Sequence, residues 1–294
     1  MRDMNRAAIT EALIRARERG YALGSFSPRN TFLIRWVLLA AQKQRSPVIV
    51  QISSNELRWF GLSPLAFAEA FFRETQRLGV PAILHLDHTY DLSVLREAVH
   101  AGFQSVMFDG SKLPFVENIA QTLEAAEFAH SKDVFLEAEL GSIGGADKLE
   151  TGGDEAHYTD PGQAEEFVLR TGCDSLAISI GTAHGIYAVS NPQIDFDRLE
   201  RIAQRVSVPL VLHGGSGLPV ETVNRAIRMD GSGGISKLNI ATDLELVFQD
   251  TMGIGRIPDH EVYRLDAALL VKAGQKVQAL CEDRMARYLF SSGK

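Results

Sequence analysis

Eight short apolar segments alternate with amphipathic segments along this chain of 294 residues. The apolar segments are rich in β-branched residues and most end in glycine or a polar residue, which is typical of strands buried on both faces of a parallel sheet. They span residues 21–26, 47–53, 81–87, 105–110, 134–141, 175–181, 209–215 and 235–242. Eight evenly spaced strand–helix units favour an α/β fold closed into a (β/α)8 barrel, the TIM barrel, over an open doubly wound sheet.

The segments between the strands carry the periodicity of amphipathic helices, and several have helix start and stop signals such as Ser-Pro and Gly. The predicted helices span residues 31–45, 63–79, 91–102, 113–132, 160–172, 195–206, 218–229 and 242–252, with a charged amphipathic helix within 1–20 and a long last helix over 266–290. Nothing in this rhythm indicates a linker, so we expect a single domain over 1–294.

One segment, 141–162, breaks the alternation, because it is long, polar and rich in glycine. Compact domains rarely carry such a connection unless it is disordered or acts as a lid over a site. We therefore expect a mobile loop after the fifth strand.

Composition narrows the classes of protein to which the chain can belong. The net charge is −7 without a cluster of lysine and arginine, which argues against nucleic acid as a partner. No apolar stretch is long enough to span a membrane, and the N-terminal segment lacks the apolar core of a signal peptide. Two cysteines, Cys173 and Cys281, do not suggest a disulfide framework and fit a reducing compartment. We expect a soluble cytoplasmic protein.

Histidines stand at the ends of three predicted strands. In a barrel of this type the carboxyl ends of the strands meet at one mouth, so His88, His184 and His213 can converge there. Three histidines with one open position form a catalytic zinc arrangement. A single histidine at such a place is more often a hydrogen-bonded structural residue, and the hypothesis depends on the three together. We expect His85 to face an interior layer of the barrel.

Glycines accompany two of these histidines, in GTAHG (181–185) and HGGSG (213–217). Glycine-rich loops expose backbone N–H groups that bind phosphate, and barrels often place phosphate near strands 7 and 8. The alternative is that these glycines only permit tight turns. Their occurrence next to a histidine in both motifs favours phosphate.

Five motifs resemble the class II, zinc-dependent ketose-bisphosphate aldolases, and most closely the fructose/tagatose-bisphosphate branch. These motifs are HLDHT (85–89), EAELGSIGG (137–145), GTAHGIY (181–187), LVLHGGSGLP (210–219) and KLNIATDL (237–244), in the family's order over nearly the whole chain. The resemblance implies reversible aldol cleavage of a phosphorylated ketose to dihydroxyacetone phosphate and an aldehyde. It also implies a homodimer or homotetramer.

The resemblance assigns roles residue by residue. His88, His184 and His213 hold zinc, and Glu139 is an alternative metal ligand. Asp87 is the acid/base residue, while Asp147, on the loop after strand 5, handles the proton of the donor. Substrate or phosphate binding falls to Gly185, Gly214, Ser216, Asn239, Thr242, Ser27 and Ser53, with a monovalent cation possible beside the phosphate.

Three departures from the family pattern fall where the substrate is recognised. Ala188 stands where the family has a lysine that pairs with the phosphate. Ser27 replaces an asparagine and brings Arg29 close by, and Asp147 is followed by Lys148 where the family has a second acid. An aldolase of the same mechanism acting on a ketose with a different far end is therefore an alternative.

Two further expectations concern charged residues beside the histidines. Asp109, Glu137 and Asp243 could each orient a metal-bound histidine, and we favour Asp109. We expect Lys237 on strand 8 to point away from the barrel mouth, which disfavours a lysine Schiff base. A metal-dependent barrel hydrolase and a non-catalytic partner subunit are remoter alternatives, and the complete set of three histidines argues against the latter.

Overall fold

Eight parallel strands close into a barrel in chain order, with the eighth strand paired to the first. The computed structural model describes residues 4–141, 158–185, 187, 192–229 and 233–294. The strands are β1 (Leu23–Phe26), β2 (Val48–Ser53), β3 (Ile83–Thr89), β4 (Ser105–Phe108), β5 (Phe135–Leu140), β6 (Ser175–Ile178), β7 (Leu210–Leu212) and β8 (Ile235–Ile240). The predicted (β/α)8 barrel is confirmed.

Helices surround the barrel, and every predicted helix is present. In the described part of the chain they are α1 (Arg6–Glu18), α2 (Thr31–Gln44), α3 (Ser54–Phe60), α4 (Pro64–Leu78), α5 (Leu92–His100), α6 (Phe115–Ser131), α7 (Pro161–Thr171), α8 (Phe196–Ala203), α9 (Val220–Arg228), α10 (Thr242–Met252), α11 (Asp259–Val262) and α12 (Ala267–Asp283). The short helices α3 and α11 were not predicted. None of these helices is long and apolar enough to cross a membrane.

The N-terminal end of the barrel is closed by apolar packing. Helix α1 places Ile9, Leu13 and Ala16 in one buried cluster with strand residues that include Ile49 and Phe135. A second, larger apolar core lies between the strands and the outer helices. Because the N-terminal end is filled, polar side chains inside the barrel can reach solvent only at the carboxyl ends of the strands.

Strands β6 and β7 are shorter than predicted, and the reason lies in the residues that follow them. Gly181 and Gly214 have φ angles of 109° and 69°, which take the chain out of extended geometry. The motifs GTAHG and HGGSG therefore belong to loops above the barrel and not to the strands. Most of the predicted lid, residues 142–157, lies outside the described residues.

The C-terminal segment braces one of these loops. Helix α12 continues into a π-helical turn, Arg284–Tyr288. The Tyr288 hydroxyl contacts the carbonyl oxygens of Gly215 at 2.7 Å and Leu218 at 2.8 Å. The last helix thus fixes the loop after β7 from behind.

Helix α12 packs closely on α2 at one glycine. A methyl group at Gly274 would overlap the indole ring of Trp36, whereas one at Gly255 would meet nothing within 4 Å. Close approach of the two helices therefore depends on the missing side chain at residue 274.

We predict that Gly274→Ala lowers the free energy of unfolding by about 1–3 kcal/mol, the range for overpacking in a close-packed interior. The sign is informative, because alanine in a helix interior otherwise stabilises by about 0.5–1 kcal/mol relative to glycine. Urea denaturation measures the effect, with Gly255→Ala as the control. A gain in stability for Gly274→Ala would contradict the packing described here.

Candidate active site at the carboxyl ends of the strands

An irregularity at the end of β3 brings two consecutive residues to the barrel mouth. Side chains alternate between the faces of a regular strand, so Asp87 and His88 should point to opposite sides. The pairing of β3 with β4 shifts between Leu86 and Thr89, and His88 has a φ of 32°, in the left-handed region. This bulge lets both side chains face the interior. Strained backbone of this kind clusters at functional sites.

Three histidine nitrogens meet above the barrel. His88 Nε2 lies 3.1 Å from His184 Nε2 and 2.8 Å from His213 Nδ1. His88 and His213 are buried and His184 is partly exposed. Strand β3 and the loops after β6 and β7 therefore deliver one nitrogen each to a single point.

Carboxylates hold the far sides of two of these rings. His88 Nδ1 donates to Asp109 Oδ2 at 2.8 Å, and His213 Nε2 donates to Glu137 Oε1 at 2.9 Å. Asp109 is fixed in turn by the backbone N–H and hydroxyl of Ser111. Each bond leaves the lone pair of the opposite ring nitrogen directed at the common point. Asp243, the third acid considered from sequence, instead pairs with Arg284.

Glu139, the expected alternative ligand, lies beside the cluster. Its Oε2 is 3.8 Å from His88 Nδ1 and 3.9 Å from His213 Nδ1. With His88 and Asp109 it forms a second group of potential ligand atoms that lie within 4.8 Å of one another.

The position expected for Lys237 was wrong. Residues two apart on a strand share a face, so Lys237 lies on the same inner side of β8 as Asn239. Its Nζ is buried 2.7 and 2.9 Å from the two carboxylate oxygens of Glu137 and 3.1 Å from His85 Nε2. A charged, ion-paired amine is a poor nucleophile, so a Schiff base is still disfavoured, for a different reason.

Asp87 sits at the floor of the mouth with both oxygens engaged. Gln51 Nε2 donates to Oδ2 at 2.9 Å and Asn239 Nδ2 donates to Oδ1 at 3.0 Å. These two amides, on β2 and β8, fix the plane of the carboxylate. Asn239 was expected to bind phosphate, but its amide nitrogen is committed to Asp87.

Burial and charge shift the titration of these groups. Burial raises the pKa of Asp87 to about 6, against the lowering effect of positive charge at His88 and Lys237. For His88, burial would lower the pKa, but Asp87, Asp109 and Glu139 outweigh it and raise the pKa to about 10. The pKa of His213 is held well below its usual value by burial and by positive charge on His88 and Lys237. Asp87, Asp109 and Glu139 thus stabilise positive charge at the His88 ring.

The donor set fits a zinc ion. Zinc held tetrahedrally by imidazole nitrogens at 2.0–2.1 Å places those nitrogens about 3.3 Å apart. The separations of 3.1 and 2.8 Å are about 0.2 and 0.5 Å shorter than that value. Two of the rings also have the carboxylate partners that metal-binding histidines usually show. Small displacements of the rings would therefore accommodate the ion.

The glycine loops lie next to the histidines and are held together by a tyrosine that sequence reasoning missed. The Tyr187 hydroxyl accepts from the Ala183 N–H at 3.1 Å and donates to the Gly214 carbonyl at 2.8 Å. Gly214 combines a φ of 69° with a close approach to the Ala183 carbonyl, where a side chain would overlap. The tyrosine therefore fixes the spacing between the two motifs.

The N-terminus of α10 faces the same mouth. Thr242 opens this helix, and the Ser216 hydroxyl accepts from the N–H groups of Ala241 at 3.2 Å and Asp243 at 3.1 Å. A helix N-terminus carries partial positive charge and favours anions. The predicted phosphate-binding residues Gly185, Gly214, Ser216, Asn239 and Thr242 all line one cavity with Asp87, His88 and His184.

This cavity has a volume of about 390 Å³, within the range of small-molecule sites. Ser53 lines it, as does Arg29. Ser27 is not among its lining residues; its hydroxyl donates to Glu56 Oε2 at 2.9 Å, away from the position expected for a substrate contact. The lining residues that sequence reasoning did not single out are Gln51, Asn55, Glu56, Trp59, Tyr90, Ser111, Lys112 and Ala241. One signal was readable: Ser53 and Glu56 form a capping box, which marks the start of α3.

Comparison with known proteins identifies the class to which this barrel with its histidine cluster belongs. The family model for class II fructose-bisphosphate aldolase matches residues 7–294. The chain therefore belongs to the class II fructose-bisphosphate aldolase family, and it is a carbon–carbon lyase. This membership removes the hydrolase and the non-catalytic alternatives.

Solved structures agree with this assignment. The YdjI aldolase from Escherichia coli K12 is 33% identical, with a TM-score of 0.81 over 97% of both chains. A candidate fructose-1,6-biphosphate aldolase from Coccidioides immitis is 28% identical, with a TM-score of 0.80 over 98% of this chain and 97% of the other. Fructose-bisphosphate aldolase (Fba) from Campylobacter jejuni has a TM-score of 0.80 over 99% of this chain and 96% of the other; at 23% identity it supports the fold alone.

The buried pair between Lys237 and Glu137 generates a stability prediction. Removing one partner leaves the other charge buried without compensation, so Lys237→Met should lower the free energy of unfolding by about 3–5 kcal/mol. Urea denaturation measures the loss. Adding Glu137→Gln should recover part of it, because the orphaned charge is then removed.

The exposed pair between Arg96 and Glu124 provides the control. Arg96→Ala should change the free energy of unfolding by no more than about 1 kcal/mol. An equally small effect of Lys237→Met would show that the buried pair does not have the structural role assigned to it.

Proposed function

We propose that this protein catalyses the reversible, zinc-dependent cleavage of a phosphorylated ketose to dihydroxyacetone phosphate and an aldehyde. The observation that carries the proposal is the meeting of three histidine nitrogens: His184 Nε2 and His213 Nδ1 both lie within 3.1 Å of His88 Nε2. His88 and His184 line the same cavity as Asp87. Family membership supports aldol chemistry in general. The metal, the substrate and the residue roles are the proposed part.

In this proposal His88, His184 and His213 hold the zinc ion, and Glu139 is an alternative ligand. A bound zinc ion supplies a Lewis acid for the ketose oxygens and offsets the negative charge that develops as the carbon–carbon bond breaks. Asp109 and Glu137 keep the rings of His88 and His213 in the orientation and tautomer that ligation needs.

Asp87 accepts the proton of the C4 hydroxyl during cleavage and returns it during condensation. Support comes from its position among the cavity-lining residues and from its fixed carboxylate plane, which Gln51 and Asn239 maintain. The same contacts lead us to assign Asn239 mainly to orienting Asp87. Its side-chain oxygen is buried without a hydrogen-bond partner among the described residues.

Asp147 exchanges the proton at C3 of the donor in this scheme. The assignment rests on the resemblance of the loop after β5, since residue 147 lies outside the described residues. The phosphate of the donor binds at the N-terminus of α10, among Gly185, Gly214, Ser216 and Thr242. We also propose a homodimer or homotetramer, on the strength of the family resemblance.

The first prediction concerns the metal. His213→Ala removes one nitrogen of the cluster, so the purified variant should lose stoichiometric zinc and aldol cleavage. Elemental analysis together with a cleavage assay measures both. His260→Ala changes an exposed histidine on α11 and should keep zinc and activity. Full activity with one zinc per chain in His213→Ala would reject this ligand assignment.

The second prediction separates proton transfer from metal binding. Asp87→Ala should retain zinc, because the carboxylate is not counted among the ligands, while aldol cleavage falls by about 10²–10⁴-fold, the usual contribution of a general base. Zinc content and kcat are measured on the same sample. Turnover within a few-fold of the unmodified protein would show that Asp87 is not the acid/base residue.

A further inference from the structure

One wall of the cavity is formed by helix α3 and its N-cap residue. Ser53, Asn55 and Trp59 line the cavity that holds Asp87 and His88. Asn55 and Trp59 are four residues apart, so they lie on one face of the helix. This wall is separate from the phosphate-binding region at strands β6 to β8, and the three side chains offer hydroxyl, amide and indole surfaces without a formal charge.

A network of four charged side chains fixes this wall. Arg29 Nε donates to Glu56 Oε1 at 2.9 Å, and its Nη1 pairs with Glu245 on α10. Glu245 Oε2 also accepts from Arg256 Nη2 at 3.1 Å. The Arg256 guanidinium lies 4.7 Å from the centre of the Trp59 ring. The contacts therefore link Glu56, at the start of α3, through the two arginines and Glu245 to Trp59 on the same helix.

The network leaves no net charge on the wall. Its two arginines are balanced by its two glutamates, and Arg29 is buried with both carboxylates against it. Among the described residues that line the cavity, the other lysine or arginine is Lys112, which is carried after β4 with its Nζ 5.5 Å from the centre of the Tyr90 ring. A second phosphate would thus meet no uncommitted cation at the α3 wall, where charge-assisted hydrogen bonds would be needed to hold it.

We propose that the α3 wall is a subsite for an uncharged, hydroxylated carbon chain, so that the substrate is a ketose 1-phosphate whose part beyond C4 carries no phosphate at this wall. The inference rests on the proposed function and names its substrate class. The C–H groups of the chain pack on Trp59. Asn55 donates through its nitrogen, because its oxygen already accepts from Arg58. The Ser53 hydroxyl also faces the cavity.

The condensation direction tests this directly. Zinc-loaded protein is given dihydroxyacetone phosphate with one of four aldehydes: glycolaldehyde, glyceraldehyde, the four-carbon aldehyde erythrose, or glyceraldehyde 3-phosphate. We expect kcat/KM to rise from the two-carbon to the four-carbon aldehyde and to be at least about tenfold lower for the phosphorylated one. Preference for glyceraldehyde 3-phosphate would overturn the inference and leave the proposed function standing. No condensation with any aldehyde would contradict the proposed function, and the inference would fall with it.

Variants show whether Trp59 contacts the chain or only supports the fold. Trp59→Ala should lower kcat/KM for erythrose about tenfold and leave the value for glycolaldehyde within twofold, because the shorter aldehyde does not need the indole surface. Trp59→Phe should restore most of the loss. Phe72 is a partly exposed aromatic residue outside the cavity. Phe72→Ala should therefore leave the ratio of kcat/KM for erythrose to that for glycolaldehyde unchanged.

A uniform loss for all aldehydes in Trp59→Ala would indicate a structural role alone and reject the subsite. Lys112→Ala provides the complementary test of the opposite charge assignment. Suppose that glyceraldehyde 3-phosphate is the preferred aldehyde and that Lys112→Ala selectively lowers its kcat/KM. The far end of the substrate is then acidic, and the proposal is wrong.

Discussion

The ion pair between Lys237 and Glu137 at the centre of the barrel organises the groups above it. Glu137 uses both oxygens on the lysine and one of them also on His213, so the ring of that histidine is fixed with Nδ1 toward the mouth. Lys237 in turn contacts His85, which completes a polar layer in the interior. A buried pair of this kind contributes little net stability when complete, but it sets the positions of its neighbours.

A second constraint acts at the end of β3. The bulge there turns Asp87 and His88 to the same side, which a regular strand forbids. One strand end thus supplies both a proposed base and a proposed metal ligand. The amides of Gln51 and Asn239 and the carboxylate of Asp109 then hold the two side chains apart, in separate hydrogen-bond networks. Proton transfer and metal binding can therefore be assigned to neighbouring residues without competition for the same atoms.

Much of this arrangement could be predicted from sequence, because a parallel barrel brings strand ends to one mouth whatever the details of packing. The periodicity placed all eight strands, and His88, His184 and His213 stood at three of the ends. The predicted orientation of Lys237 was wrong because strand alternation was misapplied. Residues two apart on a strand share a face, so Lys237 points into the barrel on the same side as Asn239. The bulge at Asp87 and His88 has no signal in an apolar run, since it depends on the pairing of β3 with β4.

The substrate-recognising side of the cavity was harder to predict. Helix α3 is only seven residues long and begins immediately after β2, so sequence reasoning missed its capping box and did not single out Trp59. Ser27 appeared at a substrate-contacting position, but its hydroxyl is directed to Glu56, a contact across 29 positions of the chain. Such contacts follow from tertiary packing and cannot be read from local pattern.

The most direct test of the central claim is the rate of aldol cleavage by the purified protein under three metal conditions. Fructose and tagatose 1-phosphates and bisphosphates would be assayed with the protein as isolated, after removal of metal by a chelator, and after zinc is added back. The account predicts cleavage by protein with one zinc per chain, loss of cleavage on chelation, and recovery with zinc. Cleavage that continues at the full rate in protein shown by elemental analysis to be free of metal would contradict it.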